Sequence, residues 1–182
     1  MKRANVYIDN SAHVSDEAEI GEGTKVWINS QIRENVHIGE NCIISKDTYV
    51  DYSVCIGDNV KIQNGVSVYH GVTIEDDIFI GPNVAFTNDF YPRAFNSDFE
   101  VKPTTVKKGA SVGANATIVC GNTLGEYCMV GSGSVVTHDV PPFALVVGNP
   151  ARQIGRVCKC GKKLADDKSV CESCDFVLQD NY

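Results

Sequence analysis

The chain has 182 residues, a formal net charge of −7 and eight cysteines. That length allows one main domain with a small appendage, and the acidic balance argues against a nucleic-acid partner. No segment approaches the length of a membrane span, and the opening residues Met1 to Val6 lack the apolar run of a signal peptide, which predicts a cytoplasmic protein. In that compartment the cysteines read as reduced, buried or metal-bound rather than as a disulfide framework. The charge is uneven, with ten of the sixteen Lys and Arg from Arg93 onward, so a local basic site for an anionic substrate remains available.

From Ile8 to Phe86 every sixth residue is a branched aliphatic until the last: Ile8, Val14, Ile20, Val26 and so on through Ile74 and Ile80, then Phe86. After a gap the series resumes at Val106, Val112, Ile118, Leu124, Val130 and Val136. Neither a helical period nor free strand alternation enforces a period of six. A short fixed period with one buried residue per repeat marks a solenoid of hexapeptides. Two residues before each aliphatic stands a small or β-branched residue, such as Thr24, Ser30 or Val60, on the same strand face. Three residues after it comes Gly, Asn or Asp in 16 of 20 hexads, the types that tolerate positive φ. Each hexad is thus a short strand and a tight corner. Three hexads close one coil, which predicts about six and a half coils and an all-β, parallel β-helix.

Residues 61–72 keep the hexad while placing polar groups at its corners. Gln63 and Asn64 can donate to and accept from a carbonyl-rich ligand, and Tyr69 can stack on a base. His70 stands in the same block and can act as a base or hydrogen-bond partner. Trp27 follows the inward Val26 and should point outward, as an interface or rim aromatic. The loop insertion at about 87–105, with four aromatics and two prolines, is the one break in the solenoid; insertions into repeats tend to carry binding. Gly109, Gly113, Ala114, Ser132 and Gly133 make the later coils thin enough for a ligand to approach the backbone. Pro141-Pro142 ends the hexads. The tail holds Cys158-x-Cys160 and Cys171-x-x-Cys174, a spacing that suits a structural zinc site of four thiolates. The domains expected are 1–157, the solenoid, and 158–182, a small Cys-rich tail.

The blocks Val130–Pro142 and Gly148-Asn149-Pro150-Ala151-Arg152 closely resemble the hexapeptide-repeat acyltransferases. The resemblance implies a left-handed β-helix, use of acetyl-CoA, and homotrimers with active sites between neighbouring subunits. The left hand rests on the resemblance alone, since parallel crossovers are otherwise right-handed. It also implies that Ala114, Ser132 and Gly133 lie along the pantetheine arm and Arg152 near the nucleotide end of acetyl-CoA. The blocks Lys61–Tyr69 and Phe86–Ala94 look like the members that acetylate nucleotide-linked 3-amino sugars. The implied acceptor is a UDP-2-acetamido-3-amino-2,3-dideoxy-glucuronate, feeding lipopolysaccharide O-antigen or a related surface polysaccharide. The alternative is a dTDP-3-amino-3,6-dideoxyhexose; Arg93 would suit the carboxylate of the first.

O-acetylating relatives carry a catalytic His in the loop where this chain has Asn88. A hydroxyl acceptor needs a general base, whereas a sugar amine, made less basic by neighbouring oxygens, is partly neutral near pH 7. Orientation of the amine then matters most, and Asn88 can hold it through its side-chain carbonyl. His13, His37, His70 and His138 are too scattered along the chain for the open three-His zinc site of a γ-type carbonic anhydrase. A non-catalytic β-helical scaffold would have no use for the loop or the thin late coils.

Overall fold

The structure is a computed structural model, and it describes residues 5–96, 98, 100–165, 169–174 and 176–178. Among these residues every regular element is a strand, most of them two residues long. Each strand of the hexads ends on the apolar sixth-place residue, as in Lys61–Ile62 and Phe79–Ile80. The strands stack in parallel into three faces, with each pairing joining a hexad to its equivalent one coil later. Lys25 pairs with Ile43, Gln31 with Tyr49 and His37 with Cys55, all eighteen residues apart. Across the insertion the offset becomes thirty-two, as in Phe79 with Ser111. The architecture is a parallel β-solenoid of hexapeptide repeats, consistent with the left-handed β-helix that the resemblance implies.

The core is the stack of hexad aliphatics. Val26, Ile44, Ile62, Ile80 and Val112 are fully buried along the first face, and Val50, Val68, Phe86 and Ile118 along the second. The small residues two places earlier face inward too, and the polar ones are satisfied at the corners. The Thr24 hydroxyl donates to the Gly39 carbonyl (2.8 Å) and accepts from the Cys42 N–H (2.9 Å). Ser30 donates to the Ser45 carbonyl (2.9 Å). A buried hydroxyl so paired avoids the cost of desolvation without a partner.

Corner residues take the left-handed conformation as their types predict, among them Asn29, Asn35, Asn59 and Gly65. Ser53 and Tyr127 do so as well, at φ 55° and 53°. The coil register imposes the corner there, whatever the residue.

The coil arithmetic falls short at the C-terminal end. The first face carries eight parallel strands, because Ala144–Val147 adds a rung beyond the hexads. Arg152–Arg156 then turns back antiparallel on Ala144–Val147. Beyond it, Cys158, Leu164, Cys171 and Leu178 form a second small core with Phe143, separate from that of the solenoid. No helix of the described residues is long and apolar enough to cross a membrane.

Candidate functional site

The third face carries Ile38, Ile56, Ile74, Val106 and Leu124, and each face is followed by the corner of the same number, so the first corner joins the first and second faces, the second corner the second and third, and the third corner the third and first. The second corner gathers the polar residues of greatest chemical interest. Stacking strands eighteen residues apart also stacks the residues that follow them. Ser67 pairs with Tyr49 and with Ala85, so Tyr52, His70 and Asn88 occupy one column in three successive coils. Successive coils lie roughly 4.8 Å apart. The imidazole of His70 stacks on the Tyr52 ring, with centroids 4.1 Å apart and planes 12° from parallel. Its Nδ1 lies 3.0 Å from the Tyr52 carbonyl oxygen. A carbonyl only accepts, so Nδ1 carries the hydrogen and, in the neutral ring, Nε2 carries the lone pair.

Asp51 fixes this corner from below. Its carboxylate accepts from Arg33 Nη1 (3.0 Å), the Tyr49 hydroxyl (2.9 Å), the Tyr52 N–H (2.9 Å) and the His70 N–H (3.2 Å). Burial alone would raise its carboxyl; the hydrogen bonds from His70, Tyr49 and Tyr52, with the Arg33 charge, outweigh it and hold the carboxyl below the usual aspartate value. The Arg33 guanidinium in turn lies over the Tyr52 ring, 5.1 Å from its centroid. Tyr69 is partly exposed beside this group, its ring tilted against Tyr49 at 5.8 Å. Arg33, Asp51 and Tyr52 were not among the residues singled out from the sequence. Reading it at intervals of eighteen finds them, since Tyr52 is His70 less one coil and Asp51 is Tyr69 less one coil.

The insertion springs from the same corner. Asn88 accepts the Lys102 N–H at its backbone carbonyl (3.2 Å), which closes the base of the loop. Its half-buried side-chain amide makes no hydrogen bond among the described residues and is free to meet a ligand. Asp89 caps the turn by accepting the Tyr91 N–H (2.8 Å). Arg93 is exposed on the loop, its guanidinium donating to the Pro92 carbonyl (2.8 Å). The returning end of the loop packs over Gly71, at φ 93°, where a Cβ would stand 2.5 Å from Val101 Cγ1. Position 71 therefore needs glycine twice, for its backbone angle and for the loop.

Gln63 and Asn64, contiguous with Tyr69 in sequence, lie one face away, on the corner between the first and second faces. That corner also carries Ala114, Ser132 and Gly133, because Ile62 pairs with Ile80, Ile80 with Val112 and Val112 with Val130. A Cβ on Gly133 would meet nothing within 4 Å, so its backbone faces open space. Gly113 and Gly131 owe their missing Cβ to packing between coils, against Ser132 N (2.5 Å) and Val147 Cγ1 (2.7 Å). Arg152, exposed, pairs with Val147 at the end of this corner. The four residues assigned by resemblance to acetyl-CoA are thus brought together, with open backbone at Gly133. Trp27 is exposed at the foot of the same corner, tilted against Tyr7 at 5.3 Å.

The histidines do not converge. His13 and His37 lie on separate strands, and His37 faces Glu19 at 3.2 Å. His138 shares the corner column of His70 but stands three coils above it. Of the cysteines, Cys42, Cys120 and Cys128 are buried and Cys55 is exposed. Burial pushes the Cys128 thiol up to about 12, which leaves it unreactive.

Residues 17–51 and 56–88 match the family model described as bacterial transferase hexapeptide (six repeats). Residues 35–70 and 103–138 match that described as the hexapeptide repeat of succinyl-transferase. Between them the two models cover more than half of the chain. It belongs to the hexapeptide-repeat transferase family. This hexapeptide-repeat chain is 61% identical over 71 residues to dTDP-3-amino-3,6-dideoxy-alpha-D-galactopyranose 3-N-acetyltransferase of Aneurinibacillus thermoaerophilus, a match spanning 38% of this chain and 37% of that one. The chain thus spans well under half the length of that curated relative. Among solved structures it is similar to a hexapeptide-repeat acetyltransferase of Vibrio cholerae complexed with acetyl coenzyme A, at TM-score 0.53 and 28% identity over 62% of this chain and 69% of that one. It is also similar to a mutant GDP-perosamine N-acetyl transferase of Caulobacter crescentus in complex with CoA and GDP-perosamine, at TM-score 0.55 and 25% identity over 84% and 58%.

Proposed function

We propose that this chain is an acetyl-CoA-dependent N-acetyltransferase acting on the 3-amino group of a nucleotide-linked sugar, in the cytoplasm, for surface polysaccharide synthesis. The observation that carries the reading is the second corner, where Asn88 and His70 stand in successive coils at the foot of the one insertion. The relative that acts on a dTDP-3-amino sugar and the neighbour that holds CoA with GDP-perosamine support the reaction class.

Acetyl-CoA supplies the acetyl group as a thioester: the sugar nitrogen bonds to the acyl carbon, the C–S bond breaks, and coenzyme A leaves as a thiolate that takes up the one proton the nitrogen sheds in becoming an amide. The chain's part is to place the amine. The Asn88 side-chain oxygen accepts one amine hydrogen, and the His70 Nε2, oriented through Nδ1–H on Tyr52, accepts another. Both contacts direct the nitrogen lone pair away from the corner, towards the acyl carbon. The amine loses its proton to solvent beforehand, so no enzyme base is essential. Tyr69 and Arg93 flank the corner as contacts for the base and for an acidic sugar or the phosphates.

Ala114, Ser132, Gly133 and Arg152 hold acetyl-CoA along the first corner, with Gln63 and Asn64 lower on it. The two corners lie at opposite edges of the second face. A homotrimer, with the first corner of one copy against the second corner of the next, assembles a whole site.

Two acceptors stand level. The UDP-2-acetamido-3-amino-2,3-dideoxy-glucuronate fits Arg93 with its carboxylate; the dTDP-3-amino-3,6-dideoxyhexose is the substrate class of the 61%-identical relative. Coenzyme A release from acetyl-CoA, measured with each sugar nucleotide, tests the reading. Transfer to the 3-amino group of one supports it, and no transfer to either overturns it.

A further inference from the structure

We propose that Cys158, Cys160, Cys171 and Cys174 bind one zinc ion as four thiolates, and that this ion fixes the tail over the C-terminal end of the third corner. All four sulfurs lie within 4.8 Å of one another. Across the two pairs, Cys158 and Cys174 are 3.4 Å apart and Cys160 and Cys171 are 3.7 Å apart. Zinc bonded to four sulfurs at about 2.3 Å requires a tetrahedron with edges of about 3.8 Å. The cluster has that size.

Each pair sits in its own tight turn. Gly161, at φ 84°, returns its N–H to the Cys158 carbonyl (2.8 Å), and the Cys171 N–H reaches the Phe176 carbonyl (2.9 Å).

The tail needs the ion because it has little else. Its core of Cys158, Leu164, Cys171 and Leu178 borrows Phe143 from the solenoid. A segment this short does not bury enough apolar surface to fold on that alone. The docking surface is aromatic: Phe143 stacks on Tyr127 at 5.4 Å and on Phe176 at 5.7 Å. Tyr127 and Phe143 continue the third corner, which faces away from the second face and its two polar corners. Four thiolates leave no open coordination position. The ion is therefore structural and lies outside the acyl-transfer reaction.

Elemental analysis and intact-mass measurement of the full-length protein, purified without chelator, test this. The expected result is about one zinc per chain, released in step with modification of four thiols by an organomercurial. Cobalt exchanged into the same protein should show the visible bands of tetrahedral thiolate coordination, and the Cys171→Ser, Cys174→Ser double variant should bind neither ion while the solenoid stays folded. Protein without metal, in which the four tail thiols titrate as freely as the exposed Cys55, would overturn the proposal. So would a mass four hydrogens lighter, which means two disulfides, or bound iron in place of zinc.

Discussion

Asn88 stands one coil above His70, eighteen residues on and at the same corner. The side-chain amide of the first makes no hydrogen bond among the described residues, and the imidazole of the second is held by Tyr52. The solenoid thus places an amide and an oriented imidazole roughly 5 Å apart in the backbone at the point where the insertion leaves the repeat. Neither residue needs the other to be held there, so substitutions at each should have separable effects.

Gly71 couples that corner to the loop. Gly71→Ala forces an L residue to φ 93° and sets a Cβ against Val101. The expected cost is about 1–3 kcal/mol in stability, read from denaturant unfolding. The solenoid should keep its circular dichroism while the KM for the sugar nucleotide rises, because the loop shifts and the coils do not. An unchanged KM would mean that the loop does not touch substrate.

Asp51→Ala leaves the Tyr49 hydroxyl, the Tyr52 N–H and the His70 N–H without their acceptor. The loss should be about 1–3 kcal/mol. The folded carboxyl titrates below its ordinary 3.8, so the unfolded chain takes up the proton first as pH falls. The stabilisation is present above that ordinary value and is lost as pH falls through the folded one. Unfolding free energies of the two proteins should therefore differ at neutral pH and converge in acid. A difference independent of pH would contradict this role for Asp51.

Assembly is testable by complementation. Light scattering should give a trimer at micromolar concentration. Asn88→Ala disables the second corner and Ser132→Trp obstructs the first. Co-assembled from unfolded or co-expressed chains, the two inactive variants should recover about a quarter of the wild-type sites, by random assortment round a threefold ring. No recovery, with trimers formed, would mean that each site lies within one chain.

Deleting residues 158–182 should leave the solenoid folded, because its core is formed by the hexads and not by the tail. The truncated protein should lose some stability where Phe143 becomes exposed, a change read as a lower thermal midpoint. Collapse to an unfolded chain would show that 1–157 is not an independent domain.

The coils were legible because each strand must bury one aliphatic and the triangle repeats it every sixth place. Ala144–Val147 was not, since its pairing with Met129–Val130 has an offset of sixteen, outside the hexad register. Ser53 and Tyr127 take corners that their side chains do not favour, because neighbouring coils dictate the turn. The site was legible only in part for a related reason. Neighbours in sequence, such as Asn64 and Tyr69, fall on different corners, while Arg33, Asp51, Tyr52 and His70 meet only when read across coils.

The most direct measurement is turnover of wild type, Asn88→Ala and His70→Asn on the nucleotide-linked 3-amino sugar across pH. Loss of one hydrogen bond to a group that develops charge costs about 1.5–3 kcal/mol, or about ten- to a hundredfold in rate. Asn88→Ala should fall by that factor. His70→Asn should fall less than Asn88→Ala, with the rate still rising as the substrate amine loses its proton. A crippled His70→Asn with a flattened pH profile, beside a normal Asn88→Ala, would contradict the account and make His70 the base.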